Sequence, residues 1–200
     1  MADPARLSRC SFSLLLAIAA FFFPGIARPD PLSPDWIQKW RADLVFAADS
    51  LPRAHPNWFH TVSKERYLSA LDSLEVQLPR FAQHQVVVGL ARIVALVRDG
   101  HTRLTFPFDS AAGFFTGHAT TAPHRIPGLV FRHYPVRYGL FADGLYVIRT
   151  DSSHRELLAG RVLSIASLSA EQAMAAVEPV IHRDNESQLA ELMPRVARLP

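Results

Sequence analysis

Apolar residues recur along the first half of the chain at spacings of three and four. Trp36, Trp40, Leu44, Ala47 and Leu51 share one face at that period, which predicts an amphipathic helix. Ser33 ahead of Pro34 and Asp35 supplies an N-cap, a first-position proline and a first-turn carboxylate. The helix is expected to end near Leu51-Pro52, and His55-Pro56-Asn57 reads as a turn before the aromatic pair Trp58 and Phe59. Ser63 caps a second predicted helix with Tyr67, Leu71, Leu74 and Leu78 on one face, stopped by Pro79. A third helix is predicted from about Ala82 to Arg98, with Val86, Leu90, Ile93, Val94 and Val97 as its buried stripe. Gly100 then falls where a left-handed residue commonly closes a helix. Three such helices with short connections pack as a small bundle.

Beyond residue 101 the period changes. Residues Thr102–Phe106 alternate like a strand. Residues 107–128 are rich in proline, glycine and threonine and are expected to form a long loop or crossover. Val136–Phe141 and Leu145–Thr150 are two apolar strands joined through Ala142-Asp143-Gly144, a strong hairpin signal. Arg161–Ile165 reads as another short strand. Ser169 caps a predicted helix to about Val177, and Asn185–Met193 reads as a further short helix. The expected fold class is therefore α+β: a helical N-terminal domain over 28–101, then a small β-rich segment over 102–200.

Residues 1–27 carry a different signature. Arg6 and Arg9 precede the apolar run Cys10–Phe23, which Pro24 and Gly25 break. That run spans about 14 residues, short of the ~20 a membrane-spanning helix needs. Gly25-Ile26-Ala27 offers small residues at a cleavage site, so a signal peptide and a periplasmic or secreted destination are expected; the alternative is an uncleaved N-terminal anchor. No later segment is apolar and long enough to span a bilayer. Cys10 is the single cysteine of the 200 residues. A mature chain without it has no disulfide, no cysteine nucleophile and no cysteine-ligated zinc.

The 200 residues together are 49% hydrophobic and 20% charged, which is globular and excludes wholesale disorder. Net charge is +3, carried by scattered arginines, with Lys39 and Lys64 the only lysines. No basic stripe with interleaved aromatics is present, so nucleic-acid binding is not expected. The chain also lacks a Gly-x-Ser-x-Gly elbow, a His-Glu-x-x-His pair, a phosphate-binding glycine loop and a dinucleotide fingerprint. The nine histidines show no metal spacing, so neither metal nor cofactor is expected.

The sharpest local feature is Asp99-Gly100-His101-Thr102, at the predicted helix-to-strand junction. A histidine just past a helix C-terminus is favoured by the macrodipole, which is a purely structural role. Fixed between a helix and a strand, the same His101 is also a candidate general base, with its pKa tuned toward neutrality by that dipole.

His55-Pro56-Asn57 with Phe59 after a tryptophan-bearing helix, then Ala95-Leu96-Val97-Arg98-Asp99-Gly100-His101-Thr102, resemble the N-terminal region of tail-specific, C-terminal processing serine peptidases. The closer branch includes the tricorn core and the retinol-binding interphotoreceptor modules. Phe141–Val147 and Leu157–Ile165 are similar to the PDZ-like segment that follows in such proteins, so the resemblance covers residues 35 to about 195. It implies an exported serine endopeptidase acting on peptide chains, whose catalytic serine lies in a later domain. His101 matches the histidine that joins this serine in the tricorn-like branch; in the branch that uses a serine–lysine dyad, this position need not be catalytic. Lys39 and Lys64 do not suit the dyad lysine, and Ser152, Ser153 and Ser164 do not suit the nucleophile. The expectation is thus a front portion lacking its catalytic domain. Phe106, Phe108, Phe114 and Phe115 are expected on the surface that domain would cover. The PDZ-like segment is expected to dock an extended peptide between the strand Val136–Phe141 and the helix Ser169–Val177, unless its sheet merely packs the core. The alternative function is a non-catalytic periplasmic module that binds peptides or apolar ligands.

Overall fold

Helix α1 runs from Pro34 to Ala54, capped by the Ser33 hydroxyl, which accepts the Trp36 N–H. It passes Pro52, three residues beyond the expected stop, because a proline in the last turn deletes only one backbone donor. Helix α2 spans Lys64–Gln77, capped by Ser63 as expected, and tightens into a 3₁₀ turn at Leu78–Arg80. Helix α3 spans Gln83–Ala95. These assignments come from a computed structural model that describes residues 30–106, 126, 129, 131, 132 and 134–197. The expected leader, Phe108, Phe114, Phe115 and nearly all of the 107–128 loop lie outside the described residues.

The three helices bury the faces their spacing predicts. Trp40, Leu44 and Ala47 of α1, Tyr67, Leu71 and Leu74 of α2, and Val86, Val87 and Ile93 of α3 form one core. Tyr67 is completely buried, and its hydroxyl donates to the Ala47 carbonyl at 2.8 Å. Burial holds that phenol in its neutral, donating form, with its pKa pushed up to about 12. Leu90 is only half-buried; Ala91 takes a buried place instead.

Two expectations at the exit of α3 need correction. The helix ends at Ala95 rather than Arg98, and the left-handed residue is Arg98, with φ 52°, rather than Gly100. Residues 102–106 alternate in burial but pair with no strand among the described residues. Phe106 is not a surface residue: it is buried in the helical core and meets the Phe131 ring edge-on at 5.1 Å. The core of the first half therefore reaches past residue 101, collecting Phe106 and Leu129.

In the second half, β1 (Val136–Phe141) pairs antiparallel with β2 (Gly144–Thr150), with a bulge between Arg137 and Tyr138. Gly144 carries φ +148° at the hairpin, a conformation side chains rarely adopt. The expected strand 161–165 divides in two. Its start extends the sheet, because Val162 N–H donates to the Leu145 carbonyl at 2.7 Å and Val147 N–H to the Gly160 carbonyl at 3.0 Å. Its end, β3 (Ser164–Ile165), turns back onto β4 (Leu168–Ser169). Helix α4 (Ala170–Val177) starts from a Ser169–Gln172 capping box, and α5 (Glu186–Val196) is capped by Asn185. A second core joins Val136, Tyr138, Leu145 and Val147 to Ile165, Ala173 and Met174. The fold is mixed α+β, helical first and with a small antiparallel sheet later. The helix packed along β1 is α5, and α4 lies against β3 and β4, while Ala173 and Met174 of α4 share the second core with Val136 and Tyr138 of β1.

Tyr67 separates polar from apolar contributions to the first core. Tyr67→Phe should cost about 1 kcal/mol in urea unfolding, the net worth of one buried hydrogen bond. Tyr67→Ala should cost about 3–5 kcal/mol through the cavity it leaves. Equal losses in the two variants would show that the hydroxyl, not the ring, organises this core.

Candidate functional site

Three-residue backbone turns continue the end of α3 through Arg98, and the Thr102 N–H reaches back to the Asp99 carbonyl at 3.2 Å; side chains hold the rest of the segment to residue 103. Asp99 does most of this. Its Oδ1 accepts the His101 N–H at 2.6 Å and the Thr102 N–H at 3.0 Å, closing a tight turn over Gly100. Its Oδ2 lies 3.0 Å from His55 Nε2, at the C-cap of α1. The Asn57 N–H donates to His55 Nδ1 at 3.1 Å, which requires a lone pair there. The proton of neutral His55 is therefore on Nε2, where it donates to Asp99. His55 also meets Trp58 edge-on at 5.7 Å and stacks on His60 at 6.2 Å, and Trp58 meets Tyr67 edge-on at 5.4 Å. A chain of rings thus connects the buried tyrosine to the carboxylate.

The His55 hydrogen bond, with the His101 and Thr102 backbone donors, holds the Asp99 carboxyl at about 2, well below its usual range. Asp99 is an anion throughout the physiological range and serves as an acceptor.

His101 presents a contrast. Its side chain is 98% exposed, and Nδ1 stands 4.0 Å from Asp99 Oδ1, beyond hydrogen-bonding distance. His101 lies six positions past Ala95, the last residue of α3. What the structure fixes is its backbone. Asp99 grips the His101 N–H, and Asp184 Oδ1 accepts the neighbouring Gly100 N–H at 2.6 Å. A Cβ at position 100 would come within 2.6 Å of Asp184 Oδ2. A side chain here would push the Asp184 carboxylate off the Gly100 N–H, so what glycine protects at this position is that contact, not a left-handed φ.

Asp184 belongs to the loop before α5, so this contact ties the helical half to the second half. Its own N–H donates to Gln188 Oε1 at 2.6 Å, and Gln188 Nε2 returns a bond to Oδ2 at 3.1 Å. Sequence reasoning singled out His101 and missed His55, Asp99 and Asp184 as its supports. His55 stood in the quoted His-Pro-Asn turn, and its C-cap position was the available signal; Asp184 lies 84 residues from Gly100 and had none.

The remaining candidates lie apart from this knuckle. Lys39 pairs with Asp35 at 2.7 Å on the exposed face of α1. Ser152 and Ser153 open a 3₁₀ turn capped by Asp151, and Ser164 lies exposed in β3. Among the described residues, no serine hydroxyl bonds a histidine, no three His, Cys, Asp or Glu side chains converge as metal ligands, and no helix is long and apolar enough to cross a membrane.

Two tests follow from this geometry. A carboxyl whose folded pKa is depressed stabilises the fold above its unfolded value, 3.8, and that contribution disappears as pH falls toward about 2. Asp99→Asn should therefore lose about 2 kcal/mol at neutral pH and show a flatter stability curve than the parent between those pH values, as read by urea unfolding. Gly100→Ala and Asp184→Ala should each destabilise, and the double variant should lose little more than either, because both break one contact; full additivity would refute the coupling. The chain matches no family model, no curated protein and no solved structure, so its own geometry is the ground for a functional reading.

Proposed function

We propose that this chain is the N-terminal part of an exported serine-type endopeptidase, presenting His101 to a nucleophilic serine carried elsewhere and offering a surface on which the peptide substrate docks. The observation that carries this reading is the pairing of a fully exposed imidazole with a tightly held backbone. A general base that must meet a nucleophile from another domain has to be open on its reactive side and fixed at its root. His101 satisfies both conditions, whereas His55 has both ring nitrogens engaged. The resemblance of the His55–Phe59 and Ala95–Thr102 segments to tail-specific peptidases points the same way.

A second reading, a non-catalytic periplasmic module for peptides or apolar ligands, draws on the hairpin. Phe141, Ile148 and Leu158 are exposed apolar side chains that, with Tyr146, Val147 and Ala159, line an open cavity of about 420 Å³. Under either reading this shelf is the place for an apolar side chain of a bound peptide.

The test is peptide hydrolysis by the full-length gene product. His101→Ala should lower kcat by at least about a hundredfold, the scale of general-base catalysis. Because the ring is exposed, its melting temperature should stay within a degree or so of the parent's. Unchanged turnover would remove His101 from the mechanism. Retained peptide binding without any turnover in the parent would favour the second reading, and Phe141→Ser should then weaken that binding.

A further inference from the structure

On the side of the bundle where the second half packs, a cavity of about 400 Å³ opens between α2, α3 and the 3₁₀ turn Glu178–Val180. Four arginines line it: Arg66 from the first turn of α2, Arg92 from the last turn of α3, Arg98 beyond it, and Arg183. Four guanidiniums at one cavity in a chain with scattered charge is a concentration the sequence did not reveal.

Their partners are unequally distributed. Arg183 is the buried charged residue among those described, and it is held by Glu178 at 3.2 Å and Glu186 at 3.5 Å. Arg98 lies 3.8 Å from the same Glu186. Arg66 and Arg92 are exposed and have no ion-pair partner among the described residues. Four guanidiniums against two carboxylates leave an excess of two positive charges at the cavity.

We propose that this cavity binds a phosphomonoester-type dianion. The guanidinium fork matches phosphate oxygens in geometry and charge. A phosphate monoester carries nearly two negative charges at neutral pH, which balances the excess, whereas a carboxylate would neutralise half of it. The cavity lies within the size range of small-molecule sites. Val62, Leu96, Pro179 and Ile181 supply apolar wall beside the arginines, so the site accommodates the organic group to which a phosphate is attached. The phosphate could belong to a soluble ester or to a lipid headgroup; the chemistry at the arginines is the same.

The probes are inorganic phosphate and glycerol phosphate, titrated calorimetrically into the full chain at low ionic strength, since exposed charges are screened by salt. Both should bind, and acetate should bind more weakly. Arg66→Gln with Arg92→Gln should weaken phosphate binding at least about tenfold, with an unliganded melting temperature like the parent's because both side chains are exposed. A control pair of exposed arginines outside the cavity's lining, Arg80→Gln with Arg132→Gln, removes the same charge and should leave affinity within about twofold. Co-sedimentation with vesicles containing phosphatidic acid, whose headgroup is a phosphomonoester, competed by glycerol phosphate and absent with phosphatidylglycerol or phosphatidylcholine, would assign the phosphate to a lipid headgroup. Calorimetric binding without co-sedimentation would assign it to a soluble ester. Absence of phosphate binding at low salt, or equal weakening in the cavity and control variants, would overturn the proposal.

Discussion

The Asp99 carboxylate accepts N–H groups from two separate parts of the chain: the His55 ring at the end of α1, and the His101 and Thr102 backbone after α3. Hydrogen bonds to an ionised carboxylate are shorter and stronger than neutral ones. This matters here because the chain leaves α3 through a left-handed Arg98 and enters residues without a backbone ladder. Helical hydrogen bonding has ended, and sheet pairing has not begun. Asp99 substitutes for both. Through His55 and Trp58 its position is referred back to Tyr67, in the middle of the bundle core. The orientation of the knuckle at 99–102 is thus set by apolar packing two rings away.

The second half is attached through the same knuckle. Gly100 and Asp184 touch at 2.6 Å, and the 3₁₀ turn that precedes Asp184 lies on α3, where Val180 packs against the helical core. Apolar contact and one backbone-to-carboxylate bond act at neighbouring points. The pair fixes both distance and rotation, which neither contact would do alone. The buried Arg183 sits between them and is tolerated because Glu178 and Glu186 meet its charge; a charge so buried without partners would be strongly unfavourable.

Helix faces and caps were legible in the sequence because they are local. Ser33, Ser63, Ser169 and Asn185 each cap the helix that follows, and the period of three and four places Tyr67, Leu71, Leu74 and Leu78 inside. The hairpin was legible for the same reason, with Gly144 at its turn. Failures cluster where a partner is remote. Phe106 looked like a surface residue until Phe131 and the helical core covered it. Gly100 looked like a helix terminator, but its lack of a side chain answers to Asp184. The helix beside β1 depends on how α5 returns to the sheet, which no local pattern encodes. His101 was legible as a motif; its exposure and its supports were not.

The accounting of lone pairs on Asp99 sharpens what His101 can do. A carboxylate oxygen offers about two acceptor sites, and Oδ1 already receives two backbone N–H groups. Oδ2 is engaged by His55. The 4.0 Å gap between His101 Nδ1 and Oδ1 therefore cannot close without loosening the turn that positions His101 in the first place. In the folded chain Asp99 orients the His101 backbone and makes no hydrogen bond to its ring; one acceptor site remains, on Oδ2 beside the His55 bond. The acidic neighbour one would assign from the Asp-Gly-His spacing is, in the folded chain, occupied with the main chain.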